Sequence, residues 1–460
     1  MPIYNAPIQD MKFILNDVFN AADFWQKNEQ LAHVDSDTVN MILEEMSKFA
    51  KNTLLPINRS GDEEGAQYLG EGKVKTPTGF KAAFDEYAQG GWIGLGGDPN
   101  HGGQGMPKMV TMLAEEMVFT ANQSFALYPN LSGGACMCIY NAGSEEQKQT
   151  YLEKIYSGEW TGTMCLTEPH AGTDLGIIKT KAVPNQDGSY NITGTKIFIT
   201  AGEHDLADNI IHLVLAKTPD APAGSKGISL FIVPKFHVNA DGSLGERNAA
   251  SCGSIEHKMG IKASATCVMN FDGAKGFMVG AENTGLASMF IMMNYERLTM
   301  GLQGIGGAEL AYQNATAYTL DRIQGRADSG IQEPNKAADP IVFHADVRRM
   351  LLNAKTISEA SRCFAMYVAK ELDTNKYTDD AEARKAADDR VALLTPVAKA
   401  FLTDRGLEAS IDAQQCFGGH GYIREWGMEQ IVRDTRISQI YEGTNGIQSL
   451  DLLGRKVVKN

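Results

Sequence analysis

The sequence predicts an α+β protein, mainly α, with a β-barrel-like domain between two helical domains. Two changes in the period of the apolar residues carry this prediction, one near residue 160 and the other near residue 283. The predicted parts are an N-terminal extension over 1–35, an N-terminal helical domain over 36–159, a β domain over 160–282 and a C-terminal four-helix bundle over 283–460. At 460 residues, the chain is long enough for more than one domain.

Helical periodicity begins just after the extension, which itself shows no regular period and is predicted to be irregular. The apolar residues from Val39 to Phe49 recur on one face of a helix, and Asp35 precedes them as a candidate N-cap. Ser144 and Gln147 form the pattern of a capping box, which marks the start of another helix. These signals predict that the N-terminal domain is helical.

Short apolar segments separated by Gly, Asp, Pro and Asn predict the strands of the β domain. They read SYNITGTKIFIT, NIIHLVLAK, GISLFIVP and ATCVMNFDG. After them the helical period returns and persists, which predicts long helices over roughly 284–324, 340–373, 380–417 and 428–456. Long helices with few breaks are typical of an antiparallel bundle.

The charge balance argues against two classes of partner. The formal net charge is -14, and an acidic protein does not collect the phosphates of a nucleic acid. Anionic lipid surfaces repel it for the same reason. The longest apolar run, LASMFIMMN, is too short to span a bilayer, so no membrane span is expected.

The cysteines and histidines indicate the compartment and argue against a metal. Seven cysteines is an odd number, and they are scattered along a large chain, as expected for reduced thiols in a cytoplasmic protein. The N-terminal residues lack the basic and apolar regions of a secretory signal. The nine histidines show no metal-ligand spacing, so no metal is expected.

Three segments have compositions suited to a ligand. CLTEPHAGTDLG, at 165–176, combines hydroxyls with small residues, through which backbone can approach a ligand closely. In GTKIFITAGEHD, at 194–205, Phe198 and Thr200 fall on one face of a strand and suit the face and edge of a flat heterocycle. QQCFGGHGY, at 414–422, ends a helix with an exposed Gly-Gly. Taken singly, each segment is weak, since such turns and strand aromatics are common without a ligand.

The segment QIYEGTNGIQ, at 439–448, places Glu442 among apolar residues just before a predicted helix start. Burial there would raise the pKa of the carboxyl and make it a better base near neutral pH. A glutamate at a helix N-terminus is more often an ordinary solvated acid. The residue alone therefore leaves both interpretations open.

Six motifs taken in order are more specific. TEPHAGTDLG, GTKIFIT, YERLTMG, DRIQGR, QQCFGGHGY and RDTRISQIYEGTNGIQ together resemble the acyl-CoA dehydrogenase family, over roughly residues 40–456. The resemblance implies a three-domain subunit that uses FAD to introduce an α,β double bond into a fatty acyl-CoA thioester. It also implies a homodimer or homotetramer that passes electrons to an electron-transfer flavoprotein.

The resemblance assigns most of the flavin contacts. Thr167 corresponds to the residue that hydrogen-bonds the pyrimidine end of the flavin, and Thr200 to the hydroxyl near flavin N5. Phe198 stands where the family more often has Trp against the isoalloxazine. Thr444 and Gly446 are implied to line the flavin beside the base.

A second set of cofactor residues is implied to act across a subunit interface. Arg322 corresponds to the arginine that reaches the FAD pyrophosphate of a neighbouring subunit. Gln415, Gly418 and Gly419 correspond to the turn that holds the adenosine part of that FAD.

The resemblance also assigns the substrate site. Glu442 corresponds to the catalytic base that takes the α-proton while the β-hydride goes to flavin N5, and Gly443 lets the chain bend beside it. Thr173 corresponds to a residue that contacts the acyl-CoA, and Asn294 and Arg297 lie where the family lines the substrate pocket.

Some features depart from the common family pattern. His170 replaces a usual glycine, DRIQGR lacks an aromatic after the arginine, and the N-terminal extension suggests a longer bacterial branch. That branch includes methylmercaptopropionyl-CoA and broad-range medium- to long-chain dehydrogenases, and it usually carries a further helical segment after the bundle. An acyl-CoA oxidase and a non-catalytic or DNA-associated relative on the same fold are the alternatives.

Overall fold

The computed structural model describes residues 2–458 and has helical regions on both sides of a β domain, as predicted. The N-terminal helices begin at the expected caps: the Asp35 carboxylate accepts a 2.7 Å bond from the Thr38 backbone N–H, and Ser144 and Gln147 form both bonds of the capping box. The elements are α1 (Ile8–Phe13), α2 (Ala21–Gln26), α3 (Ser36–Phe49), α4 (Leu55–Glu64), α5 (Phe80–Gln89), α6 (Lys108–Ala121), α7 (Gln123–Ala142) and α8 (Glu145–Tyr156), with a hairpin of β1 (Gln67–Gly70) and β2 (Lys73–Lys75).

The N-terminal extension is more regular than predicted, because α1 and α2 lie within it. Met11 and Trp25 are buried in the main core. The backbone of Ile3 exchanges two hydrogen bonds with the Asn314 side chain of the long helix α9 (Gly285–Asp321), at 2.8 and 3.0 Å. Each of the two short helices has six residues, too few to show a repeating pattern in the sequence.

The β domain is a seven-stranded, mainly antiparallel sheet that is not closed into a barrel. Its path is β3-β6-β7-β11-β5-β4, with β10 also paired to β11, and β3 runs parallel to β6. Among the described residues, no ladder joins the two edge strands, β3 and β4. The seven strands of the sheet are β3 (Trp160–Cys165), β4 (Lys181–Pro184), β5 (Tyr190–Thr200), β6 (Asn209–Ala216), β7 (Ser229–Pro234), β10 (Ala250–Ile255) and β11 (Thr266–Val279). Between β7 and β10, β8 (Phe236–Val238) and β9 (Leu244–Arg247) form a separate antiparallel pair.

A β-bulge interrupts the pairing of β5 with β11 near the end of β5. Lys196 pairs with Met269 and Ile199 with Cys267, so two residues of β5 oppose one of β11. One of the two is Phe198, whose φ is 58°, in the left-handed region that non-glycine residues seldom adopt. The bulge turns this side chain outward, and 59% of its surface is exposed.

Three long helices form the C-terminal region: α9, α10 (Ala345–Tyr377) and α11 (Ala381–Cys416). Gly304 of α9 and Gly406 of α11 bring the backbones together, since a Cβ on Gly406 would lie 2.3 Å from the Gly304 carbonyl oxygen. Gly301 meets Leu402, and Tyr318 stacks on Phe417 further along. These contacts show that α9 and α11 run in the same direction, with α10 returning between them.

The fourth predicted helix, 428–456, is divided into two short helices. They are α12 (Met428–Arg436) and α13 (Asn445–Asp451), separated by a turn that contains Glu442. The left-handed φ angles of this turn are incompatible with a continuous helix. Across residues 2–458, no helix combines the length and the apolar character that crossing a membrane requires.

Candidate active site

The turn between α12 and α13 holds Glu442 in a strained conformation. Its φ is 56°, and that of Gly443 is 85°. A Cβ on Gly443 would lie 2.6 Å from Nε2 of the buried Gln448, which donates to the Glu442 and Gly443 carbonyls at 3.3 and 3.0 Å. The Thr444 hydroxyl caps α13 by accepting from the Ile447 N–H at 3.3 Å. A strained backbone that is held in place by several surrounding contacts is typical of functional sites.

The residue before the base anchors the turn to two other helices. The Tyr441 hydroxyl donates to Oε1 of Gln303 on α9 at 2.6 Å. Nε2 of Gln303 donates in turn to Oε1 of Gln123 on α7 at 2.9 Å and to the Asp434 carbonyl at 3.1 Å. The position of Glu442 is therefore fixed by side-chain amides from both helical regions.

Burial and two cations set the protonation of Glu442. Its carboxyl is half-buried, and burial raises its pKa to about 7, while the positive charges of Arg297 and Lys399 act in the opposite direction. Arg297 is buried, donates to Oδ1 of Asn294 at 3.2 Å and lies 3.6 Å from Oδ2 of Asp451. The predicted residues Glu442, Gly443, Asn294 and Arg297 are thus brought together.

A second carboxyl, missed in the sequence, lies beside this group. Glu296 is buried, and neither of its carboxylate oxygens has a hydrogen-bond partner among the described residues. Its burial and the negative charges of Glu442 and Glu115 hold its pKa well above the usual range. Burial therefore favours the neutral form of Glu296.

The β domain contributes a second part of the site. The Ile197 N–H donates to the Thr167 carbonyl at 2.9 Å, so the loop after β3 lies beside the bulge that exposes Phe198. The Thr200 carbonyl accepts a bond from the Thr163 hydroxyl at 2.5 Å. Thr167, Phe198 and Thr200 therefore lie near one another.

A buried ion pair holds the loop that carries Thr167. Nζ of the fully buried Lys196 donates to the Leu166 carbonyl at 3.0 Å and to Oε1 of Glu168 at 2.9 Å. Glu168 also accepts from the Thr180 hydroxyl at 2.6 Å. Burial alone would raise the pKa of Glu168, but Lys196 and these hydrogen bonds lower it. The loop is therefore fixed, and Thr173 remains exposed on it.

Helix α7 lies between these two parts of the site. On one side, the Ser132 hydroxyl accepts a 3.1 Å bond from the Gly162 N–H of β3. On the other, a Cβ on Gly134 would lie 2.5 Å from Oε1 of Glu296, and one on Gly133 would lie 3.1 Å from the Tyr295 hydroxyl. α7 thus contacts both the strand that leads to Thr167 and the helix that carries Arg297.

The remaining predicted cofactor residues lie at the far end of α9 and α11. Twenty-five residues separate Arg322 from Arg297, or about 37 Å at the rise of an α-helix. Gln415, Gly418 and Gly419 are exposed near that end, where Tyr318 and Phe417 stack with ring centroids 4.1 Å apart. These residues are therefore separated from Arg297 by most of the length of the helix.

Two features of the site were not predicted from the sequence. Lys399 and Glu296 are charged residue types in helices, where a solvated position is the usual expectation. Small and apolar neighbours in TPVAKAF and the adjacent arginine in YERL were the available signals.

Thr444 and Gly446 are exposed beside the turn. In the described part of the chain, no cluster of three or more His, Cys, Asp or Glu could hold a metal ion.

Comparison with known proteins identifies the family. The family models "Acyl-CoA dehydrogenase, N-terminal domain", "middle domain" and "C-terminal domain" match residues 36–159, 163–274 and 283–457. The chain is 45% identical to 3-methylmercaptopropionyl-CoA dehydrogenase of Ruegeria pomeroyi, covering 99% of this chain and 77% of the relative. It is 38% identical to a butyryl-CoA dehydrogenase of Syntrophomonas wolfei, covering 98% and 75%.

A solved structure agrees with the fold. An acyl-CoA dehydrogenase of Bacillus anthracis complexed with FAD superposes with a TM-score of 0.75, at 24% identity, over 92% of this chain and 68% of that chain. At this identity the likeness shows the fold alone. The family models and the close relatives together lead to one conclusion: the chain belongs to the acyl-CoA dehydrogenase family, whose members are oxidoreductases.

Proposed function

We propose that this protein catalyses the FAD-dependent α,β-dehydrogenation of an acyl-CoA thioester to the trans-2-enoyl-CoA, with Glu442 as the base. The observation that carries the proposal is the setting of Glu442, half-buried in a strained turn with its pKa raised to about 7. A base with such a pKa is matched to proton abstraction near neutral pH.

The residues around Glu442 suit removal of a weakly acidic proton beside a thioester. The carboxylate must be basic enough to take the α-proton, which its burial supports. It must also be ionised before the reaction, which the positive charges of Arg297 and Lys399 favour. The backbone N–H of Glu442 lies in the same turn and is the donor implied by the resemblance for the thioester oxygen.

The side chains of the β domain fit FAD. The exposed face of Phe198 suits a planar ring system, and the hydroxyls of Thr167 and Thr200 beside it suit its polar edge. The chemistry that FAD supplies when bound is uptake of the β-hydride and its two electrons. In this proposal, the exposed Thr444 and Gly446 line the same cofactor beside the base.

The far end of α9 and α11 supports a homodimer or homotetramer. Arg322 supplies a cation and Gly418 and Gly419 supply exposed amides, which together suit a pyrophosphate and its adenosine. Because they lie about 37 Å from Arg297 along α9, we propose that they serve the FAD of a neighbouring subunit. Exposed Leu393 and Ile411 on one face of α11 give apolar surface for such contacts.

The proposed substrate is an acyl-CoA held by Thr173, Asn294, Arg297 and Gly443, with electrons passing to an electron-transfer flavoprotein. The two relatives named for their substrates act on butyryl-CoA and 3-methylmercaptopropionyl-CoA, which are the first candidates. All seven cysteines are free thiols, which supports a reducing compartment such as the cytoplasm.

An anaerobic titration of the purified protein with acyl-CoAs tests the proposal. The panel contains butyryl-, octanoyl-, palmitoyl- and 3-methylmercaptopropionyl-CoA, and flavin absorbance is followed. We expect at least one of them to bleach the wild-type flavin and none to bleach Glu442→Gln. The control Glu408→Gln, which changes an exposed glutamate of α11, should behave as wild type.

Three results would contradict parts of the proposal. A protein that binds no added FAD would overturn the cofactor assignment. A flavoprotein that no acyl-CoA reduces would overturn the activity. Rapid peroxide formation in air, with no preference for an electron-transfer flavoprotein, would favour the oxidase alternative.

A further inference from the structure

We propose that Lys399 is a positioning residue for the dehydrogenation: its ammonium group holds the turn that carries Glu442 and places a positive charge beside the base. This inference rests on the proposed function of Glu442. It adds a residue of α11 whose role neither the sequence motifs nor the predicted site included.

The contact between Lys399 and the turn is direct. Nζ of Lys399 donates to Oδ1 of Asn445 at 2.9 Å, and Asn445 lies three residues after Glu442. Nδ2 of Asn445 donates to the Thr403 hydroxyl at 3.0 Å and to Oδ1 of Asp404 at 2.7 Å. One asparagine thus attaches the first turn of α13 to three side chains of α11.

The burial of Lys399 points to an electrostatic role beyond this attachment. The residue is 0% exposed, and its burial lowers the pKa of the ammonium to about 8, against the opposing charge of Glu442. In the part of the chain that the structure describes, Asn445 is the single hydrogen-bond partner of Nζ. A neutral side chain could make this bond without the desolvation of a charge, which is expensive.

Other charged groups lie around Glu442 besides Lys399. On α9, Arg297 supplies a positive charge and burial favours the neutral form of Glu296; on α11, the negative charge of Asp404 raises the pKa of Lys399. From the C-terminal segment, Asp451 lies 3.6 Å from Arg297 and 3.3 Å from Arg455. Arg297 and Lys399 both favour the ionised form of Glu442, Arg297 the more strongly. Arg297 also pairs with Asp451, whereas within residues 2–458 Lys399 forms no ion pair.

Removal of the charge gives a pH-dependent defect. In Lys399→Met, the ionised form of Glu442 loses one of its two nearby cations, so the acidic midpoint of the kcat/KM profile should rise. A rise of one pKa unit lowers kcat/KM about tenfold below the midpoint and leaves it nearly unchanged at alkaline pH. Lys399→Arg should restore the wild-type midpoint. Lys385→Met changes an exposed lysine of the same helix and should have no effect.

Two further measurements separate the hydrogen bond of Lys399 to Asn445 from the effect of the Lys399 charge on Glu442. Lys399→Gln keeps a donor for Asn445 but removes the charge, and it also serves if Lys399→Met does not fold. The carboxyl stretch of Glu442, from infrared difference spectra between each protein and its Glu442→Gln counterpart, reports ionisation without turnover. We expect the infrared midpoint to rise in both charge-removing variants.

The outcomes are distinct. Unshifted midpoints in Lys399→Met and Lys399→Gln would overturn the role of the charge, even if kcat fell by the same factor at every pH. A wild-type flavoprotein that no acyl-CoA reduces would instead overturn the proposed function. Raised midpoints by both methods, with recovery in Lys399→Arg, would support the proposal.

Discussion

Two buried charged clusters in the helical regions are built in opposite ways. In the Arg362 cluster, Nε of Arg362 on α10 donates to both carboxylate oxygens of Glu116, at 2.8 and 3.0 Å, and Nη2 donates to Glu309 at 3.0 Å. The Glu442 cluster is formed by Glu442, Glu296, Arg297 and Lys399. Among the described residues, its two carboxyl groups have no such cation contact, and the oxygens of Glu296 have no hydrogen-bond partner.

The difference is visible in the protonation of the two clusters. Burial would lower the pKa of Arg362, but its two carboxylates raise it, so the charge is fixed. Glu442 and Lys399 instead have pKa values near 7 and 8, because burial outweighs their partners. The first cluster is suited to holding helices together, whereas the second can change its protonation under ordinary conditions.

The largest expected effect is the loss of the base. Glu442→Gln should lower kcat about 10⁴-fold, because general base catalysis contributes up to this factor. FAD content should stay at the wild-type level, measured from the absorbance of the purified protein. Retained turnover would mean that the base lies outside the Glu442 cluster.

Breaking the Arg362 cluster should reduce stability rather than catalysis. Arg362→Met leaves Glu116 and Glu309 buried without their cation, so we expect the free energy of unfolding to fall by about 3–5 kcal/mol. Arg349→Met, which removes an exposed ion pair from the same helix, should lower it by less than about 1 kcal/mol. Urea unfolding of both variants measures these changes. Equal losses in the free energy of unfolding would contradict the contrast between the buried and the exposed ion pair.

The Glu442 cluster should lower the stability of the wild type at alkaline pH. The folded protein holds the Glu442 proton up to about pH 7, whereas an ordinary glutamate releases it near 4.5, so stability falls as pH rises between these values. Glu442→Gln avoids this loss and should be about 1–2 kcal/mol more stable than wild type at about pH 8, but not at about pH 4. Urea unfolding at both pH values measures the difference, and a pH-independent difference would contradict the raised pKa.

The smallest expected effect concerns Glu296. Because burial favours the neutral form of this acid, Glu296→Gln should change the free energy of unfolding by less than about 1 kcal/mol. The midpoint of the kcat/KM profile should also stay where it is. A shift of that midpoint to lower pH would show that Glu296 carries a negative charge beside the base.

The sequence predicted the elements whose pattern repeats and the residues that belong to ordered motifs. The long helices α9, α10 and α11 and the strands of the β domain follow their periodicity. The family and Glu442 came from six motifs in order, which no single segment could supply.

What the sequence did not predict depends on tertiary contacts. The burial of Lys399 and Glu296 follows from the packing of α9, α11 and the turn, and a charged residue in a helix gives no local sign of it. The fourth helix was predicted as continuous because its apolar period passes through Glu442, where the backbone turns left-handed. The strand pattern predicted a barrel-like domain but not its degree of closure: a single bridge joins Lys181 of β4 to Lys217, just after β6, and no ladder completes the barrel within residues 2–458.

The separation of the two sets of cofactor residues along α9 has a genetic consequence. In the proposed dimer, a chain with a defective Arg322 inactivates the site of its partner but keeps its own base. A chain with a defective Glu442 loses its own base but still supplies Arg322 to its partner. Two such defective copies expressed together would form mixed dimers with one intact site, although each copy alone would be inactive. Alleles of this enzyme should therefore complement each other according to the end of the helix at which they fall.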